Sequence, residues 1–127
     1  MIKDFKDADD ERRKFARYII QEDELQVSTH DLKIIGRLKD ISKGGLSFQY
    51  DPIAGEKLET NSINMVAKDQ FFMSDIDCQL IYDIPTLEEG QSFTGAERRQ
   101  RGVKFVGLSE SQRNKLKLLL KNLQSNR

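Results

Sequence analysis

Residues 32–50 read LKIIGRLKDISKGGLSFQY. Leu32, Ile34, Gly36 and Leu38 fall on one side of an extended chain, while Lys33, Arg37 and Lys39 largely occupy the other, which is the alternation of a strand with one wet face. The break Asp40-Ile41-Ser42-Lys43-Gly44-Gly45 follows, and a second apolar stretch from Gly45 to Tyr50 starts at its end. Two such runs joined by a turn rich in Ser and Gly point to antiparallel β structure.

The same punctuation extends in both directions. Strands are expected at residues 18–27, 32–41, 45–50, 57–67, 71–82 and 99–106, six in all and enough for a small barrel. In the last of them Val103 and Phe105 alternate with Gly102 and Lys104. Residues 85–97 hold Ser92, Gly90 and Gly95 with little periodicity, as a long exposed connection would. Beyond Gly107 the period changes: Ser109 and Gln112 have the spacing of a capping box, and Leu116, Leu119, Leu120 and Leu123 recur at helical intervals. A C-terminal amphipathic helix over about 109–124 is expected, with Arg113, Lys117 and Lys121 on its wet side. Its apolar stripe either packs on its own barrel, the heavier expectation, or mediates self-association. Residues 1–11 carry Asp7, Asp9, Asp10 and Glu11 and read as a mobile arm or frayed helix, leaving one domain over 12–127.

Composition narrows the function classes. With 37% apolar and 33% charged residues in 127, the chain suits one globular domain with a heavily solvated surface. Lys plus Arg equals Asp plus Glu at 21 each, which argues against general attraction to nucleic acid or anionic lipid, so an anion site has to be built locally. No apolar run has the length of a membrane span and the first residues lack a secretory signal's apolar stretch, so a cytoplasmic location without membrane insertion is expected. Cys78 is the only cysteine and falls in a strand pattern, where a small buried hydrophobe is expected; neither a disulfide nor a cysteine-based metal site can be assembled from it. His30, in the polar break Ser28-Thr29-His30-Asp31, is expected in a turn. No arrangement of nucleophile, base and orienting group is recognisable, and Gly90 and Gly95 have phosphate-loop spacing but are followed by Ala96 where such a loop needs lysine. No catalytic residue, metal or cofactor is assigned.

Two clusters remain. Arg12, Arg13 and Arg17 crowd the approach to the first strand, and guanidinium groups pair bidentately with phosphate or a guanine edge. In the turn, Asp40 can accept from the guanine N1 and N2 donors, Ser42 offers a hydroxyl, and Gly44 and Gly45 let backbone approach a ligand. Taken singly, the arginines have a heavier plain explanation, a solvated run balancing the acidic arm, and the turn has one at least as good as binding, a tight turn with local Asp and Ser bonds. A further basic group, Arg98, Arg99 and Arg101, could add a phosphate contact, but edge-strand solubility is its heavier explanation.

Together, Arg13xxxArg17 and Asp40xSer42xxGly45 resemble the two-part signature of the cyclic di-GMP-binding members of the PilZ family. The ending RGVKFVGLS at 101–109, followed by a helix, is similar to that family's last strand and C-terminal helix. The resemblance implies an all-β fold, a six-stranded antiparallel PilZ-type β-barrel with a C-terminal α-helix, and a non-enzymatic receptor for cyclic di-GMP. It implies that Arg13 and Arg17 grip phosphates and guanine faces, that Asp40 and Ser42 recognise a guanine edge, and that Gly44 and Gly45 give clearance. Relatives with an arginine directly before RxxxR often bind two intercalated ligand molecules, and Arg12 holds that position, so a dimeric ligand is expected. Ligand binding would change the surface shown to an unidentified protein partner, with a motility, adhesion or biofilm-type output. The sequence also lacks the GGDEF and EAL motifs that resemble enzymes making or destroying this messenger. Two alternatives stay open: a PilZ-like adaptor working through protein contacts without nucleotide, and a small-barrel oligonucleotide binder, which the neutral charge disfavours.

Overall fold

The computed structural model describes residues 16–20, 25–31, 33–53, 58, 61–67, 70–86 and 98–125. The elements are β1 (Tyr18–Ile19), β2 (Leu25–Thr29), β3 (Ile35–Ile41), β4 (Gly45–Tyr50), β5 (Ser62–Ala67), β6 (Gln70–Pro85), β7 (Arg99–Phe105) and α1 (Glu110–Ser125). Round the wall the order is β3, β2, β5, β6, β7, β4 and back to β3, every pair antiparallel. The expected six-stranded barrel with a C-terminal helix therefore forms, each of the six strands being paired with a neighbour on either side over at least part of its length.

Several boundaries differ from the sequence expectation, among them the start of β3, which is at Ile35 rather than at residue 32. The stretch expected as one strand over 18–27 is two strands, β1 and β2, that pair with different parts of β3, so β1 is an extra short strand outside the barrel count. Pairing of β5 begins only at Ser62, and β6 runs on to Pro85 rather than stopping at Tyr82. The expected N-terminal arm lies outside the described residues, as does most of the connection between β6 and β7.

The inward rows are the ones alternation predicts. Gly36 and Leu38 of β3 are buried between exposed Ile35 and Arg37, and Leu46, Phe48 and Tyr50 of β4 join Val27, Ile63, Met65, Ile76 and Val103 in the core. Cys78 is buried among them, and that burial pushes its thiol pKa up to about 11, so it packs as a small hydrophobe. β6 serves two neighbours by bending at Asp75, whose positive φ of 52° is a conformation Asp tolerates better than most residues. Its N–H is held by the Asn64 side chain at 3.0 Å, so the bend is anchored to β5.

The capping box forms as spaced: the Ser109 N–H donates to Gln112 Oε1 at 2.9 Å and the Gln112 N–H to Ser109 Oγ at 3.1 Å. The Gln112 amide also donates to the Ser74 and Asp75 carbonyls, tying the start of α1 to the bend in β6. Leu116 and Leu120 are buried in the barrel core, with Leu119 and Leu123 partly buried beside them. Each fully buried leucine contributes about 1.5–3 kcal/mol, enough to hold the helix on its own barrel. Among the described residues, no helix is long and apolar enough to cross a membrane.

Candidate functional site

A β-bulge creates the first feature. Leu38 faces Phe48 across the β3–β4 ladder and Asp40 faces Ser47, so Lys39 is an extra residue without a counterpart. Unbroken alternation from buried Leu38 would turn Asp40 inward. The inserted residue resets the phase, so that Ile41 is fully buried and Asp40 stands on the outer wall.

The turn after β3 is closed by Ser42. Its hydroxyl accepts from the Gly44 N–H at 3.1 Å and donates to the Gly45 carbonyl at 3.5 Å, while its own N–H donates to the same carbonyl at 2.8 Å. Ser42 is buried, so the local bonds that a Ser in a turn is expected to make are realised here. Gly44 accepts from the Phe105 N–H at 2.9 Å, which fastens the turn to the end of β7. Gly45 has a packing reason of its own: a Cβ there would collide with the Val103 carbonyl of β7.

β1 supplies the other half of the signature. Tyr18 lies opposite Ile41 and Ile19 opposite Asp40, and the Ile20 N–H donates to the Lys39 carbonyl at 2.8 Å. This short ladder brings Arg17 beside the turn, where its Nη1 donates to Asp40 Oδ1. Both side chains are about three-quarters covered, at 27% and 23% exposure, so the pair is reachable rather than sealed. Residues 17 and 40, from separate motif halves, thus meet in one ion pair. Arg12 and Arg13 lie outside the described residues.

The outer wall next to Asp40 was not singled out from the sequence. One cross-strand row runs Asp40, Ser47, Gly102, Tyr82, and the next runs Arg37, Gln49, Gln100, Ile84. The Tyr82 ring lies over Gly102 so closely that any Cβ there would overlap it. Gln100 Nε2 reaches the Tyr82 hydroxyl at 3.3 Å and Ser47 Oγ at 3.5 Å. A polar strip with small residues in its middle therefore extends from the Arg17–Asp40 pair. Period-two alternation could have flagged these residues as outward-facing, but only the ladder register shows which of them share a row.

Arg99 and Arg101 are not edge-strand charges, because β7 is paired on both sides. Arg101 is buried, its Nε donating to Asp83 Oδ2 at 2.8 Å and its Nη2 to the Leu58 carbonyl at 2.7 Å. Arg99 Nε also donates to the Asp83 carboxylate, and the Tyr50 hydroxyl donates to Asp83 Oδ2 at 2.5 Å. Burial raises the Asp83 pKa, but bonds from Tyr50, Arg99 and Arg101 outweigh it and the carboxyl ends below its ordinary value. Burial, and then the bond to Asp83, pushes the Tyr50 phenol up to about 12. Arg98 instead pairs with Asp51 at 3.0 Å. His30 sits in an exposed turn with Nδ1 3.3 Å from Asp75.

Comparison with known proteins finds the same fold elsewhere. MrkH, described as a c-di-GMP-dependent transcription regulatory factor, matches with a TM-score of 0.67 at 16% identity, covering 91% of this chain and 52% of MrkH. The PilZ domain of YcgR from Escherichia coli, solved with c-di-GMP, matches with a TM-score of 0.62 at 17% identity, covering 91% of this chain and 93% of that one. The MrkH–c-di-GMP complex of K. pneumonia matches with a TM-score of 0.66 at 14% identity, covering 91% and 53%. The chain thus spans about half the length of MrkH. Identities this low show a shared fold, and a search of curated protein sequences found no match. The sequence model of the PilZ domain matches residues 11–122. With that match covering most of the chain, and with the closed barrel, the capped C-terminal helix and the two motif halves in one place, the chain belongs to the PilZ domain family.

Proposed function

We propose that this protein is a cyclic di-GMP receptor whose ligand binds on the outer wall at the end of β3 and β4. The observation that carries the reading is the Arg17–Asp40 pair, because it joins the two halves of the signature. The c-di-GMP complexes of YcgR and MrkH, which share the fold, support the same ligand class. In this reading Arg13 and Arg17 hold phosphates and guanine faces, and Asp40 accepts from a guanine edge. Ser42, Gly44 and Gly45 act by holding the turn at the right height, and Arg12 engages a second, intercalated ligand molecule. Binding replaces the Arg17–Asp40 pair by Arg17–phosphate and Asp40–guanine bonds, so neither charge is left without a partner. Closure of the segment carrying Arg12 and Arg13 then alters the surface presented to a protein partner, whose output is of the motility, adhesion or biofilm type. The same family membership points to a receptor rather than an enzyme.

Calorimetric titration with cyclic di-GMP, with GTP and cyclic di-AMP as controls, tests this. Selective binding is expected, at a ratio near two ligands per chain if Arg12 plays its part. Arg17→Ala should weaken it roughly 100-fold or more, since at least two charge-assisted bonds are removed. Absence of heat and of thermal stabilisation at high ligand concentration would overturn the receptor reading. In that case the adaptor reading is favoured, with the Arg17–Asp40 pair serving to hold β1 on the end of β3.

A further inference from the structure

At the opposite ends of β3 and β4 from the signature turn lies a concavity, about 540 Å3 in volume. A strand of six residues such as β4 separates the two places by roughly 17–20 Å, so they do not share a ligand. The cavity opens at the barrel mouth beside the turn between β2 and β3. Its floor comes from inward rows of the ladder: Tyr50 lies opposite Arg99, and Arg101 lies between Phe48 and Asp83. The apolar part of its wall is formed by Ile34, Ile53, Leu58 and Leu80, and Thr29, His30, Asp31 and Lys33 add polar groups beside them.

Two properties distinguish this place from a structural ion network. Leu80 and Ile53 stand on the wall with 50% and 39% exposure, so apolar surface faces an open space. The floor, moreover, sets two guanidiniums against a single carboxylate. Of the five N–H donors of Arg99, Nε is directed at the Asp83 carboxylate and Nη2 at the Asp83 main-chain carbonyl, the Tyr50 hydroxyl is also bonded to the guanidinium, and the Arg99 side chain is 34% exposed. Among the described lining residues Asp31 is the one other carboxylate; it accepts from the Thr29 hydroxyl and the Lys33 N–H, and the Lys33 ammonium offsets its charge. The floor thus carries surplus positive charge beneath a partly apolar wall, in a volume within the usual range of small-molecule sites.

We propose that this cavity is a second ligand site, taking an amphiphilic monoanion whose carboxylate meets Arg99 and whose apolar body lies against Leu80, Ile34 and Ile53. It is independent of the messenger site, and binding there leaves the signature turn untouched.

Methyl-resolved NMR of the full chain titrated with decanoate, with decanol as the neutral counterpart, tests this without any substitution. Decanoate should shift the methyl signals of Ile34, Ile53, Leu58 and Leu80 saturably, and decanol should bind at least about tenfold more weakly for want of the charge. Arg99→Gln should remove that difference, and Leu80→Trp, which puts a larger ring where the apolar body would lie, should weaken the saturable shifts of Ile34, Ile53 and Leu58 at least about tenfold while cyclic di-GMP titration is unchanged from the parent protein. Three outcomes would overturn the proposal: no shifts at high decanoate, shifts spread over the exposed Ile19, Ile81 and Leu118 as well, or equal affinity for decanoate and decanol.

Discussion

The two ends of β3 and β4 use the same side-chain chemistry for different ends. At the signature turn one aspartate meets one arginine, both partly exposed, and the contact depends on the short strand β1. At the other end one aspartate accepts from two arginines and a tyrosine, with Asp83 at 13% and Arg101 at 7% exposure. A lone accessible pair contributes about 1 kcal/mol or less and can be exchanged for a ligand. A shared, buried carboxylate cannot be removed without stranding two guanidiniums, so it belongs to the fold. An Asp–Arg contact therefore says little about role until its burial and its number of partners are known.

The largest test of that contrast is a pair of substitutions. Asp83→Ala should destabilise the protein by about 3–5 kcal/mol in denaturant unfolding, because the buried Arg101 loses its counter-charge. Asp40→Ala should change stability by about 1 kcal/mol or less, yet remove cyclic di-GMP binding. Equal losses of stability would break the comparison.

A smaller effect separates the ends by pH. Asp83 titrates below its ordinary value of 3.8, so its contribution is complete above that pH and is lost as pH falls through the lowered value. Tyr50 is shifted from 10.0 to about 12, so its contribution is complete below pH 10 and is lost as pH rises towards 12. Unfolding midpoints measured from pH 9 to 12 should fall, and Tyr50→Phe should flatten that limb. A limb of unchanged slope in Tyr50→Phe would remove Tyr50 from the network.

The smallest expected change in stability sharpens the comparison at the signature end. Exchanging the partners, Arg17→Asp with Asp40→Arg, keeps the ion pair and should leave stability within about 1 kcal/mol of the parent. Ligand binding should still vanish, since a phosphate then faces a carboxylate. Binding retained in the exchanged protein would show that the pair is a strut rather than a reader.

Much of the barrel was legible from local pattern: alternation in β3, the apolar row of β4, the burial of Cys78, and the capping box ahead of four helically spaced leucines. The division of residues 18–27 into β1 and β2 was not, because both segments are extended and differ only in which part of β3 they pair with. Nor was the bulge at Lys39, which no composition rule marks although it decides that Asp40 faces outward. Arg99 and Arg101 read as solubilising charges because their partner, Asp83, is far along the chain and fell just beyond the expected end of its strand.

The sequence by itself determined the β class, the terminal helix and the spacing of the two motif halves, since periodicity and caps are short-range properties of neighbouring residues. Only the tertiary structure decided that Arg17 lies against Asp40, that Ser42 is committed to its turn, and that Arg101 is buried beneath a cavity. These depend on strand register and on a one-residue bulge. A shift of one position turns every side chain to the other face, and no local pattern records which register the closed barrel adopts.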